Sequence, residues 1–242
     1  MTIRYLFDIG GTHIRTAFLL KGNIYGLKKE KHNFSSINEL LNEVSLYIEK
    51  YRFSEYGKGE AVIAIAGIVE KNIIISSTNL AFLNGCMIPN IINDDVPICV
   101  INDADSCLFG EMIHNNIDEK KNILSLIFGT GVGSGLFIND KLVKNSEVDG
   151  LFENYMVQDS FEKYKVEEIY KLFKINLENV VELLNIDTVV INGFIKKYRI
   201  FKKIKKEINV RPYFKHKLKI IFSNCEEPVI KGCCSNKYNF IT

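Results

Sequence analysis

The strongest constraint on the fold is that the chain carries one structural phrase twice. YLFDIGGTHIRTAFLL occupies residues 5–20 and LSLIFGTGVGSGLFIN occupies residues 124–139. Each reads as an apolar strand, a glycine-rich turn and a second apolar strand. A repeated strand–glycine turn–strand unit predicts two similar lobes facing each other. The polar segment NNIDEKK at 115–121 has no apolar period and is the natural joint, so residues 1–117 are expected in one lobe and 118–230 in the other.

Apolar runs bounded by Gly, Asn or Asp predict strands at about 3–8, 14–20, 61–67, 72–77, 97–101, 123–128, 134–138, 187–192 and 218–223. Helical spacing appears in Ile37, Leu40, Leu41, Val44 and Ile48 behind Ser35 and Ser36, which can cap. Further helices are expected at 104–114, 166–185 and 195–208. Strands and helices alternating in this way indicate an α/β fold with a mixed sheet.

With 47% hydrophobic residues the chain can bury a core, and its net charge of +2 gives no whole-molecule field for nucleic acid or membrane. Residues 196–219 hold eleven Lys or Arg against Glu207 alone. That run is either a nucleic-acid patch or a solvated helix face. Ile200, Phe201, Ile204 and Ile208 interleave it at helical spacing and favour the face. The N-terminus lacks the features of a signal peptide, and no apolar run approaches the length of a membrane span, so a soluble cytoplasmic protein is expected. Cysteines 86, 99, 107, 225, 233 and 234 form no C-x-x-C pair and read as reduced thiols, not as disulfides or zinc ligands.

The two turns carry the chemistry. In Asp8-Ile-Gly10-Gly11-Thr12 the glycines are expected to turn with positive φ and to leave no Cβ in the way of a phosphate. Successive N–H groups there form an anion-binding concavity, to which the Thr12 hydroxyl adds a donor. Asp8 can hold a hydrated Mg²⁺ against the phosphates, and Arg15 on the next strand can reach the same space. An ordinary tight hairpin is the competing explanation. The second turn, Gly129-Thr130-Gly131-Val132-Gly133-Ser134-Gly135, places four glycines at alternate positions, a cost in a strand that implies close backbone approach. It is neither a Walker A loop nor G-x-G-x-x-G, and a phosphate hairpin fits better. Two such hairpins point to ATP.

Asn102-Asp103 ends an apolar strand and opens a helix. Asp103 can take a hydroxyl proton as that oxygen attacks a γ-phosphate, with Asn102 orienting the hydroxyl; Asp103 can equally be the helix N-cap. Asn79, ending SSTN, can bond a sugar hydroxyl or merely turn the chain.

In order, DIGGTHIR, AIAGIVEKNIIISSTNL, INDADSCLFGE and FGTGVGSG resemble the motifs of the ROK family of bacterial sugar kinases and sugar-responsive repressors. The resemblance implies a two-lobed actin-like (ribonuclease H-like) fold, with mixed sheets and a cleft between the lobes for ATP and sugar. It implies that Asp103 is the base acting on a sugar hydroxyl, usually the 6-hydroxyl. Asp8, Gly10, Gly11, Thr12, Gly129, Thr130 and Gly131 match its phosphate motifs, and Gly67, Asn79 and Asn102 its sugar contacts. Asp187–Gly193 resembles its adenosine motif, with Asn192 where glycine is usual. Residues 229–235 look like the entry to a final helix, near 231–242, that completes the first lobe. A homodimer is favoured, and THIR with Arg211-Pro212 leans towards D-allose kinase.

The chain departs from the family after Gly135. Aligning Gly150 puts Leu151 in place of a sugar-gripping Glu and Asn154 in place of a His that is also a zinc ligand. Glu162, in FEKY, would remain as a sugar ligand. The zinc loop is missing, so no zinc is expected, and a helical stretch before 166 is absent as well. The leading expectation is an ATP- and Mg²⁺-dependent hexose or N-acylhexosamine kinase. A non-catalytic nucleotide- or sugar-binding relic or sensor is the alternative. A DNA-binding repressor is disfavoured, because only seven residues precede Asp8.

Overall fold

The structure is a computed structural model describing residues 2–52, 59–129, 131–146, 148–156, 159–215 and 217–237, without the side chains at 153, 154, 162, 214 and 215. It divides into two compact units, residues 1–110 with 227–242, and residues 111–226.

The first unit contains β1 (Arg4–Ile9), β2 (His13–Leu20), β3 (Asn23–Lys31), α1 (Ile37–Lys50), β4 (Glu60–Ile65), β5 (Ile68–Glu70), β6 (Ile73–Ser76), β7 (Ile91–Ile92) and β8 (Val96–Asn102). Helix α2 (Asp103–Asn115) follows, and the boundary between the units falls within it. The main sheet runs β3-β2-β1-β4-β8-β7, with β1 antiparallel to β2 and parallel to β4, and β4 parallel to β8. Every residue of β1 is buried, as expected of a central strand covered on both faces. In α1, Leu40, Val44, Tyr47 and Ile48 lie on one buried stripe. Each such side chain contributes roughly 1.5–3 kcal/mol on removal from water. Ser36 caps that helix by accepting from Glu39 N–H, while the Glu39 carboxylate accepts from Ser35 N–H at 2.8 Å.

The second unit contains β9 (Ile123–Phe128), β10 (Val132–Ile138), β11 (Lys141–Val143), α3 (Gly150–Met156), α4 (Ser160–Lys163), α5 (Val166–Leu183) and β12 (Thr188–Gly193). After a single 3₁₀ turn at Phe194–Lys197 come α6 (Arg199–Lys202), α7 (Ile204–Glu207), α8 (Pro212–Lys215) and β13 (Lys219–Phe222). Its sheet runs β11-β10-β9-β12-β13, with β9 antiparallel to β10 and parallel to β12, and β12 parallel to β13. This is the order and sense of β3-β2-β1-β4-β8. The repeat seen in the sequence is therefore a repeat of topology. The last helix, α9 (Pro228–Cys233), returns to the first unit against β1 and β4.

Two expectations need correction. The helix expected over 195–208 is a chain of short turns: Tyr198 is extended at φ −91°, ψ 111°, and Lys203 N–H bonds back three residues to the Ile200 carbonyl. The apolar spacing nevertheless buries Phe201, Ile204 and Ile208 in the core of the second unit. β3 was not anticipated, because all nine of its residues are exposed and it carries no apolar alternation. Among the described residues, no helix is long and apolar enough to cross a membrane.

Candidate functional site

In open α/β sheets, ligands gather beyond the carboxyl ends of parallel strands. In the first unit, that end of β1 carries Asp8 and the Gly10–Thr12 turn, and that end of β8 carries Asn102 and Asp103. The turn is closed by a hydrogen bond from Gly10 N–H to the His13 carbonyl at 3.0 Å. It is braced by His32, whose Nε2 lies 2.7 Å from the Gly10 carbonyl and donates to it, and whose own N–H bonds the Thr12 carbonyl at 3.2 Å. Nothing in the sequence marked His32, since it follows the unanticipated edge strand. Thr12 is exposed, with its hydroxyl 2.9 Å from His13 Nδ1.

Neither Gly10 nor Gly11 has positive φ, which corrects that part of the expectation. Gly11 is needed for a different reason. A Cβ there would lie 2.8 Å from the Asn79 Cβ and 3.2 Å from its carbonyl oxygen, so exposed Asn79 packs directly against the turn. Gly67 has φ +156°, and a Cβ there would strike the Ser76 carbonyl and Ser77. Its own carbonyl accepts from Asn102 Nδ2 at 2.8 Å. Asn102 Oδ1 accepts from Asp105 N–H at 2.9 Å, so Asn102 caps α2 and Asp103 is the first helical residue. Asp103 Oδ1 accepts from Ala104 N–H at 2.9 Å. Asn79, Gly67, Asn102 and the first turn thus form one neighbourhood.

Asp8 is only 5% exposed. Burial pushes its pKa up to about 6, against the lowering effect of Arg15; the charge of Asp103 raises it further, and that of Glu227 adds to this. Arg15, directly across the strand pair from Asp8, donates from Nη1 to Asp8 Oδ2 at 2.8 Å. Its Nε is buried and lies 2.6 Å from Glu227 Oε2, a contact of charges without the alignment of a hydrogen bond. Glu227 attracted no role in the sequence, where it is one of two adjacent glutamates before a proline.

In the second unit, the Gly129–Gly131 turn is closed from Gly129 N–H to the Gly131 carbonyl at 2.8 Å, and Thr130 lies outside the described residues. A Cβ at Gly131 would meet no described atom within 4 Å. Gly133 lies on β10, paired with Ile127. Gly193 has φ +97° and pairs with Phe128; a Cβ would collide with the Phe128 backbone. The second turn and the expected adenosine motif therefore adjoin. Asn192, 7% exposed, donates to Glu111 Oε1 at 2.5 Å and accepts from Gly193 N–H at 2.7 Å and from Lys196 Nζ at 2.8 Å. Glu111 is fully buried. Lys196 belonged to the basic run read as a solvated face, and Glu111 to a motif in which it had no assigned role. The side chains of Asn154 and Glu162 lie outside the described residues.

The site suits the groups expected at it. Arg15 contacts the carboxylates of Asp8 and Glu227, and the charges of Asp103 and Glu227 both act on Asp8, so acidic groups gather at a place where a divalent cation can be held. Among the described residues no three His, Cys, Asp or Glu form a metal cage. Mg²⁺ needs none, since it ordinarily takes one or two carboxylates and fills its other positions with water and phosphate.

Two α/β units with one strand order, each ending its central strands in a glycine turn, define a protein of the actin-like class. The ROK family profile matches residues 5–150, and the chain belongs to the ROK family. No curated protein sequence matches it. Among solved structures it is similar to an inorganic polyphosphate/ATP-glucomannokinase from Arthrobacter sp. strain KM, at TM-score 0.75 and 20% identity over 96% of this chain and 97% of that one. It is similar to a ROK family glucokinase from Streptomyces griseus in complex with glucose and AMPPNP, at TM-score 0.70 and 15% identity over 96% and 97% of the two chains. A ROK family transcriptional regulator, homologous to the E. coli MLC protein, matches at TM-score 0.72 and 14% identity over 95% of this chain and 76% of that one.

Proposed function

We propose that this protein is an ATP- and Mg²⁺-dependent sugar kinase acting on a hydroxyl, the 6-hydroxyl in our reading, of a hexose or N-acylhexosamine. The observation that carries the proposal is the grouping of Asp8, Asp103 and the Gly10–Thr12 turn at the carboxyl ends of β1 and β8. Asp103 accepts the sugar hydroxyl proton as that oxygen attacks the γ-phosphorus. The new O–P bond forms while the bond from γ-phosphorus to the β–γ bridging oxygen breaks, and ADP leaves with that electron pair. Backbone N–H groups of Gly11 and Gly131 hold phosphate oxygens, while Gly10 and Gly129 use theirs to close the two turns, with Gly133 and Gly193 shaping the nucleotide's second-unit contacts. Bound at Asp8, Mg²⁺ supplies charge neutralisation to the phosphates. Asn79, Gly67 and Asn102 are assigned to the sugar in this reading, and the family resemblance assigns Asn154 and Glu162 the same role.

A second reading, a nucleotide- or sugar-binding protein without turnover, is favoured by Leu151. This residue stands where the family resemblance expects a sugar-gripping Glu, and it is 51% exposed. Coupled ATP turnover across hexoses and N-acetylhexosamines separates the two. Sugar-stimulated turnover is expected, and Asp103→Asn should lower kcat by at least about 100-fold, the usual contribution of a general base, with nucleotide affinity near wild type. Nucleotide binding with no turnover on any sugar would favour the second reading. Turnover unchanged in Asp103→Asn would remove Asp103 as the base.

A further inference from the structure

Arg15 was expected to reach the phosphates, yet its guanidinium is already engaged at both ends. It gives Asp8 a hydrogen bond from Nη1 at 2.8 Å and turns its Nε to Glu227 at 2.6 Å. An Arg left alone with a carboxylate commonly pairs through two nitrogens. Here the second edge is drawn off by Glu227.

Glu227 holds that position in an unusual way. Its backbone is left-handed, φ 47° and ψ 56°, a region L-residues other than Asn and Asp seldom enter, and it directly precedes Pro228. Such a conformation persists where its surroundings fix it. The surroundings here are well fixed. A Cβ at Gly232 would strike the Ser106 backbone, and one at Gly110 the Pro228 carbonyl, so α9 lies against α2 at backbone distance. Arg4 Nη1 holds the far end of α9 by donating to the Cys234 and Ser235 carbonyls at 3.0 and 2.6 Å. Glu227 is therefore presented to Arg15 from a rigid base.

We infer that Glu227 is a positioning residue for the metal-bound nucleotide: by sharing the charge of Arg15, it leaves the Asp8 carboxylate available to a divalent cation. The inference rests on the kinase reading for the identity of the ligand. Without the Glu227 charge, Arg15 belongs wholly to Asp8, and its positive charge opposes a cation there. With Glu227 present, Arg15 has a second carboxylate to rest on when the cation arrives.

The test is a Mg²⁺ titration of fluorescent ADP binding by the full chain, in wild type, Glu227→Gln and Glu227→Asp, with thermal melts of each. In Glu227→Gln the Mg²⁺ midpoint should rise by about three- to tenfold, the scale of one partly screened charge near a cation. Affinity for metal-free ADP should not weaken. Glu227→Asp, which tolerates the left-handed backbone and keeps the charge, should stay near the wild-type midpoint. A midpoint unmoved in Glu227→Gln, or metal-free and metal-bound affinities weakened equally, would overturn the inference. So would a Glu227→Asp midpoint displaced as far as that of Glu227→Gln. Wild-type protein binding no nucleotide at any Mg²⁺ concentration would overturn the kinase reading with it, whereas a clear wild-type midpoint unchanged in the variants would overturn this inference alone.

Discussion

Asp8 concentrates the site's electrostatics in one side chain. A carboxylate in water ionises well below the value of about 6 that burial gives this one. Because the folded state takes up its proton at a higher pH than the unfolded chain does, stability rises as pH falls from about 6 towards 4. Above that window the buried charge is a standing cost of about 2–3 kcal/mol. In metal- and nucleotide-free protein, urea unfolding should show wild type gaining more stability than Asp8→Asn between pH 7 and 4.5. Parallel profiles would assign the burial cost elsewhere. In the kinase proposed above, that cost falls on the residue assigned to meet the cation. Asp8, Asp103 and the glycine turns could be picked out as candidates from the sequence because each stands in a short local pattern with a stated chemistry. Glu227 and His32 could not. Each reaches the site through a contact between segments remote in sequence, Glu227 with Arg15 and His32 with the Gly10 carbonyl, and nothing local to either residue records that pairing.

At the scale of elements, periodicity predicted those with one apolar face and missed those without. Of the apolar stripe read over α5, Ile169, Phe173, Leu177, Val180 and Val181 are buried and Leu184 packs against the core, whereas Leu172 is exposed. β3 escaped because an exposed edge strand needs no alternation, and its charged residues suit an edge that must not pair further. The run over 195–208 misled because apolar spacing specifies a buried face and not the continuity of the helix bearing it. α9 adds what spacing cannot show, since its place depends on two glycines in different segments. Gly232→Ala would drive a methyl group into the Ser106 backbone, where no flexible side chain can yield. Destabilisation of about 3 kcal/mol or more is expected, at the upper end of overpacking costs, measured by chemical denaturation. A loss under about 1 kcal/mol would mean that α9 can shift away from α2. Such a shift should also carry Glu227 from Arg15 and raise the Mg²⁺ midpoint.

For the molecule as a whole, the doubled phrase in the sequence becomes two cores with no residue in common. One is built on β1, β4 and α1 around Phe7, Leu40 and Ile63; the other is built on β9, β12 and α5 around Phe128, Phe173 and Phe201. Each core has its own sheet and its own cooperative unit to lose, and chains of this kind commonly depart from two-state unfolding. Calorimetry of the ligand-free protein should therefore give a van't Hoff enthalpy well below the calorimetric enthalpy. A ratio near one would instead mean that the two cores unfold together. A zinc chelator should leave the profile unchanged. A structural zinc site takes four His or Cys ligands, and between residues 111 and 226 the chain has Cys225 as its only cysteine. A chelator-induced fall in the transition of the second unit would show that a metal supports its core.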